Sequence, residues 1–243
     1  MPPDAQATRN KLIDAGLRLF AAKGIHGASL LEINKRAGQR NNSALHYHFG
    51  GRHGLLRAAL EPRVLALREI RLALLEKATS GGEPDLRSLA VVYIEPFANL
   101  IQQGWRERAY LQISAELIAD PGGSTEEILS LLGLAQGARV IEAIIERCPP
   151  MPRAIRAERL SLVTTFVHRA AADRARMLET LRRGETPVLT HAQFVANLND
   201  MFVAALTAPV TGEAEAAPSP SQLGRKPGVS RPRPGRIGRT KRL

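Results

Sequence analysis

Cysteine is nearly absent from this 243-residue chain, whose single cysteine is Cys148. One cysteine excludes an intrachain disulfide, and the neighbouring Pro149 and Pro150 favour a packing role for the thiol over a reactive one. Aromatic residues are also scarce, at 4% of the chain, whereas hydrophobic residues reach 44%. Aliphatic side chains must therefore supply most of the core.

Long apolar runs are missing as well. The longest uninterrupted apolar stretch, residues 89–94, is far shorter than the roughly 20 residues that a membrane span requires. Residues 1–4 do not resemble the basic start of a secretory signal. We therefore expect a cytoplasmic protein with no membrane partner.

The residue sets that enzymes use are not found at credible spacing. No nucleophile stands with a base, and there is no metal-ligand set or phosphate-binding glycine loop. His46, His48 and His53 resemble metal ligands only superficially, because positions two apart on a helix point to different sides. We expect no catalysis, no metal and no cofactor, and we interpret His48 as a hydrogen-bonded packing residue.

Charge is unevenly distributed along the chain, whose net charge is +11. Residues 1–60 carry 9 Lys/Arg against 3 Asp/Glu, and residues 209–243 carry 8 against 2. The intervening residues 61–208 are almost neutral, with 17 against 18. Two basic ends predict a polyanionic partner, most simply DNA, although a solvated basic surface remains an alternative for the tail.

The hydrophobic periodicity predicts an all-α protein. Apolar residues recur at three- and four-residue spacing, and no strand-like alternation persists. Helices are predicted over residues 5–23, 29–37, 41–48, 52–78, 85–104, 105–119, 124–147, 153–183 and 191–206.

Local signals mark the ends and irregularities of these helices. Three capping boxes are predicted, at Ser29 with Glu32, Ser124 with Glu127, and Thr190 with Gln193. Pro62 lies inside a long predicted helix and should kink it. From residue 209 onward the Pro, Gly, Ser, Ala and Arg content predicts a disordered basic tail.

Three short helices followed by a long one, with a tight turn at residues 36–38, indicate a helix-turn-helix module whose third helix recognises DNA. Apolar residues of the second and third helices can pack on the first, which leaves a polar surface outward around the start of the third. Its groups suit base edges and phosphates. The outward residues are Gln39, Arg40, Asn41, Asn42, Ser43, His46 and Tyr47.

The segments LRLFAAKG (17–24), SLLEINKRAG (29–38), SALHYHFG (43–50) and RHGLL (52–56) together resemble the DNA-binding signature of the TetR family. The resemblance implies a DNA-binding domain at residues 1–51 and a helical effector-binding and dimerisation domain at 52–208, followed by the tail at 209–243 that the composition predicts.

By position, the same resemblance implies that Ser29 lies near a phosphate and that Arg52 anchors one, while residues 40–43 and Tyr47 face the groove. This chain has one residue more than is usual in the turn before the third helix, and His46 stands where an aromatic residue is usual. Asn41, Asn42 and Ser43 are also natural helix caps, which leaves capping open as the role of at least one of them.

Nearly half of the scarce aromatic residues lie in one stretch of the body, which is explained either by core packing or by a ligand pocket. The resemblance implies an effector cavity among these central helices. The candidates from this stretch are Tyr93, Phe97, Ile101, Trp105 and Tyr110. Phe166, His168 and Arg169 could add contacts to an acidic or acyl-type ligand.

The last two predicted helices carry apolar faces. In the TetR family such helices pair across a two-fold axis, which implies a homodimer on a roughly palindromic operator. The predicted function is a sequence-specific transcriptional regulator, a repressor released by a small, largely apolar effector. The alternative is an architectural protein that binds DNA without regard to sequence.

Overall fold

The fold is taken from a computed structural model that describes residues 3–39, 41, 43–119, 131–132, 138–182 and 184–212. Within these ranges the regular secondary structure is helical and contains no strand, which confirms the all-α prediction. The elements are α1 (Pro3–Lys23), α2 (Leu30–Arg36), α3 (Ala44–Phe49), α4 (Arg52–Thr79), α5 (Leu86–Asn99), a 3-10 turn (Leu100–Gln102), α6 (Trp105–Ala119), α7 (Ala138–Arg147), α8 (Arg153–Thr180) and α9 (His191–Thr207).

Helix capping follows the sequence at α9 but not at α2. The Thr190 hydroxyl accepts the Gln193 amide at 3.2 Å and the Gln193 side chain accepts the Thr190 amide at 2.9 Å, which confirms that capping box. The box at Ser29 was wrong, because its hydroxyl makes no capping bond and Glu32 pairs with Lys23 at 2.7 Å instead. The box predicted at residues 124 and 127, like the tail from 213 onward, lies outside the described residues.

Prolines interrupt two helices without ending them. α4 continues through Pro62, and α5 continues through Pro96, where the missing amide leaves the Val92 carbonyl without its usual helical donor. α5 ends at Asn99 and is followed by the 3-10 turn, so the helix predicted over residues 85–104 was too long.

The core runs without a break from the N-terminal helices into the body. α1 packs against α2, α4 and α6, while α6 packs most extensively against α8, and α5 lies between α4 and α9. Contacts therefore group Met1–Pro209 into one unit and Val210–Leu243 into another. The domain boundary expected at residue 51 falls inside the first unit and stays a prediction. No helix of the described ranges is long and apolar enough to cross a membrane.

Candidate DNA-binding surface and buried polar centre

α3 is held in place by apolar side chains on the face that packs against the rest of the protein. A helix of six residues is not stable alone in water, so packing must fix it. α3 packs against α2 and α4, Leu45 is fully buried in the core, and Phe49 is partly buried against it. The preceding turn is closed by Gly38 with φ +72°, a left-handed conformation that glycine adopts without strain. The opposite face of α3 is thereby presented to solvent.

The solvent-facing side of α3 is polar except for one tyrosine. Tyr47 is 84% exposed, and Asn41, Ser43 and His46 are exposed around it. The Asn41 side chain accepts the amide of Ser43 at 2.9 Å and its hydroxyl at 2.6 Å, so Asn41 also orders the turn before the helix. Gln39 is half-buried and donates to the Ala37 carbonyl at 3.2 Å. Arg40 and Asn42 lie outside the described residues.

The two residues expected at phosphates occupy different surroundings. Ser29 is exposed, and its hydroxyl caps nothing. Arg52 is half-buried and donates from Nη1 to the Ile25 carbonyl and, at 2.6 Å, to the Ala28 carbonyl. Arg52 thus fastens the loop between α1 and α2, an internal role that the sequence did not indicate. Its contact with phosphate stays a prediction.

The histidines of this region do not converge. Among the described residues no group of His, Cys, Asp or Glu could hold a metal ion. The His48 ring packs beside Tyr47 and Phe49, with ring centroids 5.1 and 6.1 Å away, which confirms its packing role. Its Nδ1 atom is buried without a hydrogen-bond partner among the described residues, so the hydrogen-bonded part of that expectation has no support at this atom.

Most of the aromatic stretch meets in the centre of the body. Tyr93, Phe97, Ile101 and Tyr110 are each at most 2% exposed. His168 joins them from α8, with its ring centroid 4.3 Å from that of Phe97. The structure therefore brings five of the eight predicted effector residues into one buried cluster.

The other three predicted residues lie elsewhere. Trp105 is half-buried at the start of α6, with the Arg18 guanidinium 3.7 Å and that of Arg106 4.8 Å from its ring centroid. Phe166 is 36% exposed. Arg169 pairs with Asp173 at 2.8 Å on the rim of a surface groove of about 530 Å³ between α1, α6 and α8. Their roles as effector contacts stay predictions.

The buried centre also holds an arginine that the sequence reading missed. Arg71 is 9% exposed, and its Nε and Nη2 atoms donate to the Tyr93 carbonyl at 3.1 and 2.9 Å. Its guanidinium carbon lies 4.7 Å from the centroid of the Tyr93 ring. A signal was present, because Arg71 follows Val64 and Leu67 and precedes Leu75 at helical spacing on one apolar face of α4.

Burial sets the charge state of the groups around Arg71. Burial raises the pKa of Tyr110 to about 12. Burial also raises the pKa of Tyr93, and Arg71 and Thr164 each lower that pKa in part. Burial lowers the pKa of His168 to about 4, against the effect of its 2.9 Å hydrogen bond with the Thr164 carbonyl. At neutral pH the phenols and the imidazole are uncharged, while an arginine guanidinium stays protonated inside proteins.

The fold and the exposed face of α3 define a class of protein, an all-helical regulator with an N-terminal helix-turn-helix. The family model described as "Bacterial regulatory proteins, tetR family" matches residues 12–59, and "Tetracyclin repressor-like, C-terminal domain" matches residues 92–205. The chain belongs to the TetR family of transcriptional regulators, which are DNA-binding proteins without enzymatic activity.

Individual relatives resemble the chain over different extents. The HTH-type transcriptional regulator SrpR of Pseudomonas putida is 38% identical over 60 residues, which are 25% of this chain and 28% of that protein. NalD, described as the secondary repressor of the MexAB-OprM multidrug efflux pump in Pseudomonas aeruginosa, is 20% identical with a TM-score of 0.51 and covers 86% of this chain and 100% of its own. FadR from Bacillus subtilis, solved with stearoyl-CoA, is 15% identical with a TM-score of 0.52, over 83% and 99%.

Proposed function

We propose that this protein is a repressor that binds a roughly palindromic operator as a homodimer and is released by a small, largely apolar effector. The observation that carries the proposal is the exposed face of α3. Tyr47, at 84% exposure, projects from a helix whose opposite side is locked by the fully buried Leu45. A large aromatic side chain left in water on a fixed helix suits a surface that becomes covered by a partner.

The groups around Tyr47 suit DNA. Ser43 and His46 can donate to or accept from base edges, and Tyr47 can donate its hydroxyl to a phosphate while its ring contacts a thymine methyl group. Residues 1–60 carry the excess of positive charge that phosphate binding needs. Specific contacts and general attraction therefore come from the same end of the chain.

Dimerisation is supported by apolar side chains left in water on the last two helices. Leu162 is 59% exposed and Phe166 is 36% exposed, one turn apart on α8, while Met201 on α9 is 46% exposed. Their sequence neighbours Val163 and Phe202 are buried within one chain. Pairing through α8 and α9 would place two α3 helices on successive half-sites about 34 to 36 Å apart.

Release by an effector would follow from a small change in that spacing. A ligand that binds the DNA-free conformation more tightly shifts the population away from the operator-bound one. The buried aromatic centre is the proposed ligand site. Two structural neighbours, the efflux-pump repressor NalD and the regulator FadR solved with stearoyl-CoA, are compatible with such a function.

The test is equilibrium binding by fluorescence anisotropy, at physiological salt, to DNA flanking the gene and to random DNA of equal length. We expect a preference for the flanking DNA of about a thousandfold or more, as is usual for a specific regulator. Equal affinity for both would contradict the proposal and favour the architectural alternative.

A pair of variants assigns the effect to α3. Tyr47→Ala should weaken specific binding by about tenfold or more, in line with the loss of one good base or phosphate contact. Val188→Ala is the matched control, because Val188 is 99% exposed in the loop before α9 and far along the chain from α3. Equal losses in both variants would show that the effect does not come from the α3 face.

A further inference from the structure

A cation, Arg71, is buried at the centre of the body, and no carboxylate of the described residues pairs with it. Among the described residues, the hydrogen bonds and the ring contact of Arg71 all go to Tyr93, and Arg71 forms no ion pair. The Nη1 atom makes no hydrogen bond there. Burying a charge costs several kcal/mol unless it is paired, and one carbonyl dipole does not neutralise a full charge.

A second donor that lacks a partner belongs to Tyr93, whose carbonyl and ring Arg71 contacts. Tyr93 is 2% exposed, and among the described residues its buried hydroxyl has no partner at hydrogen-bond distance, although Thr164 is near enough to lower its pKa. A buried hydroxyl without a partner costs about 1–3 kcal/mol. The same residue thus supplies the carbonyl that orients Arg71, the ring against which the guanidinium lies, and a buried hydroxyl donor.

We propose that Arg71 and the Tyr93 hydroxyl bind the carboxylate of the effector, so that the effector is a small carboxylic acid with an apolar remainder. This inference rests on the proposed function and specifies its ligand. A guanidinium binds a carboxylate through a fork of N–H groups, and a single negative charge balances the single positive charge. A phosphate would bring a second, uncompensated charge into the same surroundings.

The surroundings of Arg71 account for the apolar remainder of the ligand. Phe97 and Tyr110 form an edge-on pair with centroids 6.3 Å apart, and the ring centroid of Phe202 lies 5.8 Å from that of Tyr93. His168, which is uncharged at neutral pH, offers no second cation. All five rings are at most 2% exposed, so entry of a ligand requires these side chains to move.

A structural explanation competes with this proposal. Pro96 removes a hydrogen bond from the middle of α5, and Arg71 could brace the adjacent turn through the Tyr93 carbonyl. The two explanations differ in what they predict for the ligand-free protein. A brace is lost in Arg71→Met, which then becomes less stable, whereas removal of an unpaired buried charge leaves stability unchanged or raises it.

The experiment measures binding of sodium decanoate and of 1-decanol to the full-length protein without DNA, by thermal shift and by titration of the fluorescence of Trp105. The proteins are wild type, Arg71→Met, Tyr93→Phe and Arg68→Met. Arg68 is exposed on the same helix and serves as the matched control.

We expect decanoate to bind wild type and Arg68→Met equally, and to bind Arg71→Met and Tyr93→Phe at least about tenfold more weakly, the loss of one hydrogen bond to a charged group. Decanol should not distinguish wild type from Arg71→Met. Equal decanoate affinity in wild type and Arg71→Met, no binding of decanoate at all, or a melting temperature lowered by several degrees in ligand-free Arg71→Met would overturn the proposal. Because DNA is absent, failure of operator binding leaves this result unaffected.

Discussion

Glu116 joins α6 to the end of α1 across 91 residues of sequence, and its removal should destabilise the N-terminal helices. Its carboxylate accepts the amide of Ile25 at 2.7 Å, in the turn that follows α1. Ile25 is 4% exposed, so water does not replace the lost acceptor. Gly24 beside it has φ +80°, and a β-carbon there would lie 3.0 Å from the same carboxylate, which shows how closely the two segments approach.

The size of the effect follows from the kind of bond that is lost. A hydrogen bond to a charged group contributes about 1.5–3 kcal/mol, and Glu116→Ala leaves a buried amide unsatisfied. We therefore expect a loss of about 2 kcal/mol, which lowers the melting temperature of a chain of this size by about 4–8 °C. Glu116→Gln keeps an acceptor oxygen without the charge and should lose about half as much.

The assay is urea unfolding followed by circular dichroism, together with hydrogen exchange of the Ile25 amide. Glu142→Ala is the control, because Glu142 is an exposed glutamate of α7 for which the structure shows no partner among the described residues. If Glu116→Ala left both the unfolding midpoint and the exchange rate at the control's values, the inferred tie between α6 and α1 would be refuted.

Three further predictions concern other elements. His168 has a pKa of about 4 in the folded protein against 6.5 in the unfolded chain, so the unfolded chain binds more protons between these pH values. About 3 kcal/mol of stability should therefore be lost as the pH falls from 6.5 to 4. His168→Asn should flatten a plot of melting temperature against pH, and an equally steep plot would contradict this prediction. Thr190→Ala removes the α9 cap and should cost about 1 kcal/mol by urea unfolding, whereas Thr207→Ala, at an exposed threonine of the opposite end of α9, should cost clearly less. Phe166→Asp should shift the protein from dimer to monomer in sedimentation velocity, and an unchanged dimer would place the interface elsewhere.

The sequence predicted the parts of the fold that depend on local signals. The helix expected over residues 105–119 is found with those bounds, and Thr190 caps α9 as its spacing with Gln193 indicated. Ser29 has the same spacing with Glu32 but forms no box, because Lys23, nine residues before Glu32 at the end of α1, pairs with that glutamate instead. Local pattern was therefore sufficient only where no tertiary contact competed.

The candidate sites were less predictable, since their key contacts are made to backbone carbonyls. Arg52 and Arg71 bind carbonyls of residues that are more than 20 positions away. Every residue has a backbone carbonyl, so no pattern of side chains in the sequence predicts which carbonyl an arginine will bind. Helical geometry argues against placing Arg169 and His168 in the same ligand site. Successive residues of a helix differ by about 100° in direction, so their side chains cannot both face one centre.

α6 carries both the anchors of the DNA-binding end and one wall of the buried centre. Arg106 forms a two-pronged pair with Asp14 of α1, at 2.7 and 2.5 Å, and Glu116 binds the turn after α1 ten residues later, about 15 Å along the helix. Between these anchors lies Tyr110, packed against Phe97 beside Arg71. A helix transmits displacement because its backbone bonds resist bending, so a ligand that shifts the α6 backbone at Tyr110 would either move α1 with α6 or break one of the two anchors. Ligand binding at the centre and the position of α3 would then be linked through three residues of one helix.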